Sequence, residues 1–289
     1  MALTVNLIGP GRLGRSVGRM LAGCPEYRLL ALHGPDQLEE ARVFIGAGET
    51  VSSIADLPPA ALWLLAVPDG AIASVAAELA EAGVVPAGTV VAHFSGAGEA
   101  ELLAPLRQCG ATLGSLHPVY SFADPLRAVE GFAGTACAIE GDKAACQELE
   151  KLAVALAGRP FRLTGSKAAY HAALCIASNY LVTLAALAET TAGVAGITAA
   201  QSLPLISGLM RQTLANIASL GPAAALTGPI VRGDAGTVAS HLAALAEHPA
   251  LLALYRPLGQ ATVELAGSRL TPTARAALLA ALAPASVDQ

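Results

Sequence analysis

Basic residues never gather in this 289-residue chain. Lys and Arg total 17 against 22 Asp and Glu, the formal net charge is -5, and no basic cluster occurs. A nucleic-acid backbone is held through such clusters, so nucleic acid is excluded as a partner. Charge of either sign is scarce at 13%, and aromatic residues make up only 4%. With 54% hydrophobic residues the chain is not of the disordered class. The excess of Ala over aromatics favours helices packed closely. Cysteine is thinly spread, at Cys24, Cys109, Cys137, Cys146 and Cys175. No CxxC pair exists, the count is odd, and no His stands at metal-ligand spacing. These are reduced thiols of a cytoplasmic protein, mostly small core residues, and no metal is expected. The opening MALTVNLIGPG lacks a basic n-region and does not read as a signal peptide. The longest apolar run, 172–188, is interrupted by Ser178 and Asn179 and has no Lys/Arg flank bias. It reads as a buried helix of a helical domain or subunit interface and not as a membrane span.

What is present divides into two patterns. The first half alternates short apolar runs with helical periodicity. LTVNLIG, YRLLALHG, AALWLLAVPD, GTVVAHFSG, ATLGSLHPV and GTACAIEG read as strands. Helices fall between them at about 71–82, 99–108 and 143–156. Such alternation predicts an α/β parallel sheet with crossover helices. RPFRLTGS looks like a last edge strand. From Lys167 onward only helical periodicity remains, over 167–193, 198–220, 235–248, 251–267 and 272–283. Gly221-Pro222, His248-Pro249 and Thr271-Pro272 punctuate it. The expectation is a Rossmann-like parallel-sheet domain over 1–164 and an all-α domain over 165–289.

NLIGPGRLGRSVGRML fits G-x-G-x-x-G as Gly9, Gly11 and Gly14, after a strand and at the start of a helix. The first glycine makes the turn, the second lets backbone approach a pyrophosphate, and the third lets helix pack on strand. A purely structural glycine turn is the competing reading. The whole segment Gly9-Pro10-Gly11-Arg12-Leu13-Gly14 is therefore a candidate cofactor loop. An NAD site usually places Asp or Glu at the end of the second strand. Here that place holds His33-Gly34, and Asp36 reads as a cap for the next helix. Arg12 could reach a 2′-phosphate or could simply be solvated. The missing acid and Arg12 together favour NADP, with NAD still possible.

Ligands of open α/β sheets bind beyond the carboxyl ends of the strands. Val67-Pro68-Asp69 and the segment from His93 to Gly98, with Ser95 and Gly96, lie at two such ends. Asp69 is either a ligand contact or a helix N-cap. His93 could be a core histidine bonded to a carbonyl. His117 precedes Pro118 and is held extended, toward the cleft or capping a backbone group.

SKAAYHAALCIASNYL carries the remaining polar candidates. Lys167 and His171 are four apart on one helix face, about 6 Å along the axis, so both could face one small substrate. Asn179 lies about 18 Å from Lys167 and cannot touch the same atom. It is a buried amide satisfied by a neighbour, or a substrate contact from elsewhere. Lys167 is catalytic or solvated; His171, set among Ala and Leu, has no solvent-facing excuse. In LTGPIVRGDAGTV, Asp234 should cap the helix from Ala235, and Arg232 either forks onto a substrate carboxylate or pairs with an acid.

Taken together, IGPGRLG, AVPD, HFSGA, LHPVYSF, YHAALCIASNYL and LTGPIVRGD resemble one two-domain family of oxidoreductases. Its members join a Rossmann-like domain to a helical domain of formerly unknown function. The family is similar in build to pyrroline-5-carboxylate, ketopantoate and 3-hydroxyacid oxidoreductases. In the latter two, a Lys-x-x-x-Asn pair on the first helix after the sheet domain does the chemistry. The matching frame here is Lys167-x-x-x-His171, so the lysine matches and the asparagine does not. The resemblance implies hydride transfer to a small 2-oxo acid, ketopantoate above all, with Lys167 or His171 giving the proton. Reduction of a cyclic imine and a non-catalytic dinucleotide-binding role are the alternatives. The apolar helical domain suggests a homodimer.

Overall fold

The structure, a computed structural model, describes residues 1–35 and 37–284. Asp36, expected to cap a helix, lies outside the described residues. Two compact units are present: the first runs Met1–Cys175 and the second begins at Ile176.

In the first unit the strands are β1 (Leu3–Ile8), β2 (Tyr27–His33), β3 (Glu49–Thr50), β4 (Leu62–Leu65), β5 (Val90–His93), β6 (Thr112–Pro118), β7 (Ala136–Gly141) and β8 (Arg159–Arg162). The helices are α1 (Arg12–Ala22), α2 (Leu38–Ile45), α3 (Ile72–Ala82), α4 (Pro125–Gly131), α5 (Lys143–Ala155) and α6 (Lys167–Ala177). One sheet forms, in the order β3-β2-β1-β4-β5-β6-β7-β8. The chain reverses direction at β1, so the ends of β1 and β4 flank a topological switch point.

Both sheet faces are covered, which explains why the strands read as near-continuous apolar runs. Val5, Leu7, Leu62 and Leu64 pack with Val17 and Leu21 of α1 and Leu149 and Leu152 of α5. On the other face Ile8, Trp63, Leu65, Val91 and Leu113 pack with Ala76 and Leu79 of α3. Leu103 and Leu106 of the segment Ala100–Cys109 complete that layer.

Three expectations are corrected. The sheet is not wholly parallel, because β7 runs antiparallel to β6. The link between them contains only the seven-residue α4, too little for the crossover a parallel pair needs. The expected helix at 99–108 is a 3₁₀ helix. Pro105 inside it lacks the N–H and crowds the carbonyl that an α-helix would need. The single helix expected over 167–193 is interrupted at Ser178, between α6, which ends at Ala177, and a second helix that begins at Asn179. The compact units divide within α6, at Cys175/Ile176, where the sequence places the domain boundary at 164/165.

In the second unit the helices are α7 (Asn179–Val194), α8 (Ala199–Leu220), α9 (Pro222–Ala225), α10 (Ala235–Ala244), α11 (Pro249–Ala266) and α12 (Pro272–Leu282). Thr198 and Gln201 form a capping box on α8, and Asp234 caps α10 by accepting from Thr237 N–H at 2.9 Å, as its position predicts. Val238, Leu242, Val263, Leu278 and Leu282 build a small core between α10, α11 and α12. By contrast α7 buries none of its residues, and Val182 is 71% exposed.

Trp63 is the only tryptophan and is fully buried, with its Nε1–H donating to Ala60 O at 3.1 Å. Trp63→Ala should cost about 3–5 kcal/mol, read as a lowered midpoint in urea unfolding followed by circular dichroism.

Candidate functional site

The glycine loop is built as a backbone cradle. Gly9 has φ +84°, and a Cβ there would stand 2.8 Å from Ala66 O and 2.7 Å from Val67 Cγ1. A Cβ on Gly14 would collide with Gly9 O, so helix and turn meet only through glycine. Gly11 differs, because a Cβ on it would meet nothing within 4 Å. That open space lies at the N-terminus of α1, where no side chain caps the helix. Among the described residues the N–H groups of Arg12, Leu13 and Gly14 donate to no protein acceptor. Unpartnered amides at the positive end of a helix dipole, beside open space, fit the pyrophosphate of a dinucleotide.

Pro10 is buried, and its carbonyl accepts from Arg15 Nε at 3.1 Å. Arg15 also donates to Gln37 at 2.9 Å, tying the loop to the turn after β2. A cleft of about 400 Å³ opens there, lined by Gly9, His33, Gly34, Ser52, Ile54 and Glu78 among others. His33 Nδ1 lies 2.8 Å from Val51 O, and Arg12 is exposed without an ion pair among the described residues. Val67 packs on Gly9, and Pro68 and Asp69 follow it into solvent.

Asp69 does not cap α3, whose N-cap is Ala71. Its carboxylate accepts from Ser95 Oγ at 2.7 Å. Ser95 Oγ in turn accepts from the N–H of Ala97 at 3.2 Å and of Gly98 at 2.8 Å. The Ser95 hydroxyl is thus fully engaged, tying its own loop to the one after β4. His93 is the core histidine that the sequence allowed. Its Nδ1 accepts from Ser95 N–H at 3.1 Å, which puts the proton on Nε2, donating to Glu99 O at 3.0 Å. Burial pushes this imidazole down to about 4, so it is neutral at pH 7.

His93, Ser115 and Glu140 stand side by side across β5, β6 and β7. Into this row reaches Lys167, the first residue of α6, at 2% exposure. Its Nζ donates to Glu140 Oε1 at 2.9 Å and to Ser115 Oγ. Burial lowers the lysine pKa, and the Glu140 carboxylate opposes that shift. Glu140 Oε1 also accepts from Ala100 N–H at 2.9 Å. The ammonium is therefore sequestered beneath the site and does not line it.

One turn further along α6, Tyr170 and His171 meet His117 at the end of β6. Tyr170 Oη lies 2.9 Å from His117 Nδ1, with the rings edge to face. His117 and His171 are 6.2 Å apart by ring centroid. Both press on Gly96, where a Cβ would stand 2.6 Å from His171 Cδ2 and 2.8 Å from His117 Nε2. Burial, then the nearby His171 and Lys167 charges, push His117 down to about 4. Burial pushes the Tyr170 phenol up to about 12.

Of the sequence candidates, the structure thus gathers Lys167, His171, His117 and Gly96 at one sheet edge. Asn179 and Arg232 belong to the second unit. Both are exposed, against the expectation that Asn179 is buried, and neither side chain makes a hydrogen bond among the described residues. Arg232 forms no ion pair with Asp234, whose carboxylate is taken up by Thr237. Ser115, Glu140 and Tyr170 were not singled out from the sequence. The lone acid in the apolar strand CAIEG was a usable signal for Glu140. Tyr170 lies at i+3 from Lys167 and shares its helix face.

Residues 1–118 match a Rossmann-like domain, and residues 135–262 match a domain of unknown function, DUF2520. The chain thus carries a Rossmann-like match followed by a match to this domain, each over less than half of its length. No curated protein matches it. Among solved structures it is similar to a protein from Thermotoga maritima, at 26% identity and TM-score 0.72, covering 91% of this chain and 98% of that one. A proposed NADP oxidoreductase from Bacteroides fragilis matches at 21% identity and TM-score 0.75, with 91% and 98% covered. A reductive aminase from Aspergillus terreus, solved with NADPH, matches at 15% identity and TM-score 0.64, with 91% and 95% covered.

Removing one partner of the buried pair strands the other charge. Glu140→Gln should cost about 3–5 kcal/mol in chemical unfolding. Combining it with Lys167→Met should restore part of that loss, which a double-mutant cycle reads directly.

Proposed function

We propose that the protein is a NADP-dependent oxidoreductase that reduces a small 2-oxo acid by hydride transfer, with ketopantoate the leading candidate. The observation that carries the reading is the joining of two sites on one sheet edge. A cradle of unpartnered amides follows β1, and a neutral imidazole beside a phenol ends β6. Three strand spacings of about 4.8 Å separate β1 from β6, so one extended ligand reaches both. When bound, a reduced nicotinamide supplies the hydride. The N–H groups of Arg12, Leu13 and Gly14 hold its phosphates, and Arg12 takes the 2′-phosphate that the missing acid at His33 admits. The coenzyme reading is supported by relatives of the same fold that carry NADPH.

The second reading is reduction of an imine. It is favoured by the sequestered Lys167, which leaves the Tyr170–His117–His171 cluster without an unpaired cation to stabilise an alkoxide. An iminium brings its own proton and needs none. Several proteins of similar fold are named imine reductases.

The helical unit is proposed to pair with a second copy of the chain. Its α7 has no buried residue, and the faces it shares with α8 are apolar and nearly uncharged, which suits a like surface better than a charged partner.

Two measurements test these readings. NADPH oxidation would be followed with ketopantoate, other branched 2-oxo acids and pyrroline-5-carboxylate, with NADH in parallel. Turnover of a 2-oxo acid with NADPH preferred is expected, and Arg12→Ala should raise KM for NADPH about tenfold or more while leaving NADH unaffected. Turnover of the cyclic imine alone would select the second reading, and tight binding without turnover would indicate a non-catalytic role. Light scattering should report a dimer at micromolar concentration; a monomer there removes the pairing.

A further inference from the structure

His117 has two ring nitrogens in different surroundings. Nδ1 faces Tyr170 Oη at 2.9 Å. Nε2 makes no hydrogen bond among the described residues, where the one sealed and unpaired side-chain polar atom is Asn6 Oδ1. Nε2 is therefore open to solvent. Gly96 keeps it so, since a Cβ at that position would stand 2.8 Å from Nε2 and cover it. The direction of the Tyr170 bond follows from chemistry. A phenol O–H is a better donor than a neutral imidazole N–H, and an imidazole nitrogen is a better acceptor than a phenol oxygen.

We propose that Tyr170 and His117 form a proton relay. Tyr170 O–H donates to His117 Nδ1, which fixes the imidazole as the Nε2–H tautomer, and Nε2–H is the donor to the substrate atom that gains charge. This rests on the reductase reading above. It assigns the proton donor to His117, with Tyr170 as its positioning residue and Lys167 as the anchor of their helix.

The step balances. Hydride adds to the carbon of a C=O or neutral C=N bond, and the π pair of that bond moves to the heteroatom. That atom takes the proton from Nε2 as the Nε2–H bond breaks. Nδ1 takes the Tyr170 proton, leaving a neutral Nδ1–H imidazole and a tyrosinate; the Nδ1 proton then returns to the tyrosinate as Nε2 takes a proton from water, which restores the Nε2–H tautomer. The groups facing His117 are Lys167, Tyr170 and His171 on α6 and Asp69 after β4. Held neutral at physiological pH chiefly by burial, with Asp69 opposing the shift, the imidazole donates as a neutral acid and not as an imidazolium.

The test joins a structural and a kinetic readout on the full chain. Nitrogen-15 NMR of histidine-labelled protein, with His117→Gln to assign the signal, should show His117 as the Nε2–H tautomer. Tyr170→Phe keeps the ring that packs on His117 and should give a mixture of tautomers. It should lower kcat about tenfold or more with KM unchanged, and His117→Gln should lower kcat about 100-fold. An Nδ1–H tautomer in the wild type would overturn the relay. So would full activity of Tyr170→Phe on a substrate the wild type reduces. Absence of turnover on every panel substrate would instead remove the reductase reading and, with it, the relay's catalytic use.

Discussion

A single buried cation organises the candidate site. The Lys167 ammonium sits at 2% exposure between Glu140 and Ser115, and through it α6 is tied to β6 and β7. Burying two charges costs several kcal/mol each, and their attraction only roughly repays it. The net stabilisation is therefore small. The penalty for any other arrangement is large, because a shifted helix would leave a charge stranded in the apolar layer. What the pair confers is register. Once Lys167 is seated, Tyr170 and His171 can stand only one turn further on, facing His117.

That register also separates two roles the sequence had merged. A lysine and a histidine four residues apart look like two candidates for one proton. In the fold they lie at different depths. Lys167 points down into the sheet layer and spends its donors on protein partners. His171 stays half-buried at the level of His117 and Gly96, where chemistry can be reached. The nearby loop from His93 to Gly98 is held by its own hydrogen bonds, through Asp69, Ser95 and His93, so the floor of the site is rigid before any ligand arrives.

The antiparallel β7 is what brings Glu140 to this place. In register it stands opposite Ser115, which itself stands beside His93. A wholly parallel sheet, as the strand-helix alternation suggested, would have run this strand the other way and presented a different residue. The short α4 in place of a full crossover helix is the local cause.

Much of the architecture was legible without coordinates. Apolar runs broken by helical periodicity specify a doubly covered sheet, and G-x-G-x-x-G after the first strand specifies the amide cradle, because both depend on backbone sterics within a few residues. Asp234 as a cap was equally local. Three features were not legible: the burial of Lys167, the pairing of Tyr170 with His117, and the open face of His117 Nε2. Each joins residues more than twenty-five positions apart or depends on what a neighbouring strand leaves uncovered. Sequence spacing places side chains on a helix face; only the packing of that face on β6 and β7 decides which of them meets water and which meets a charge.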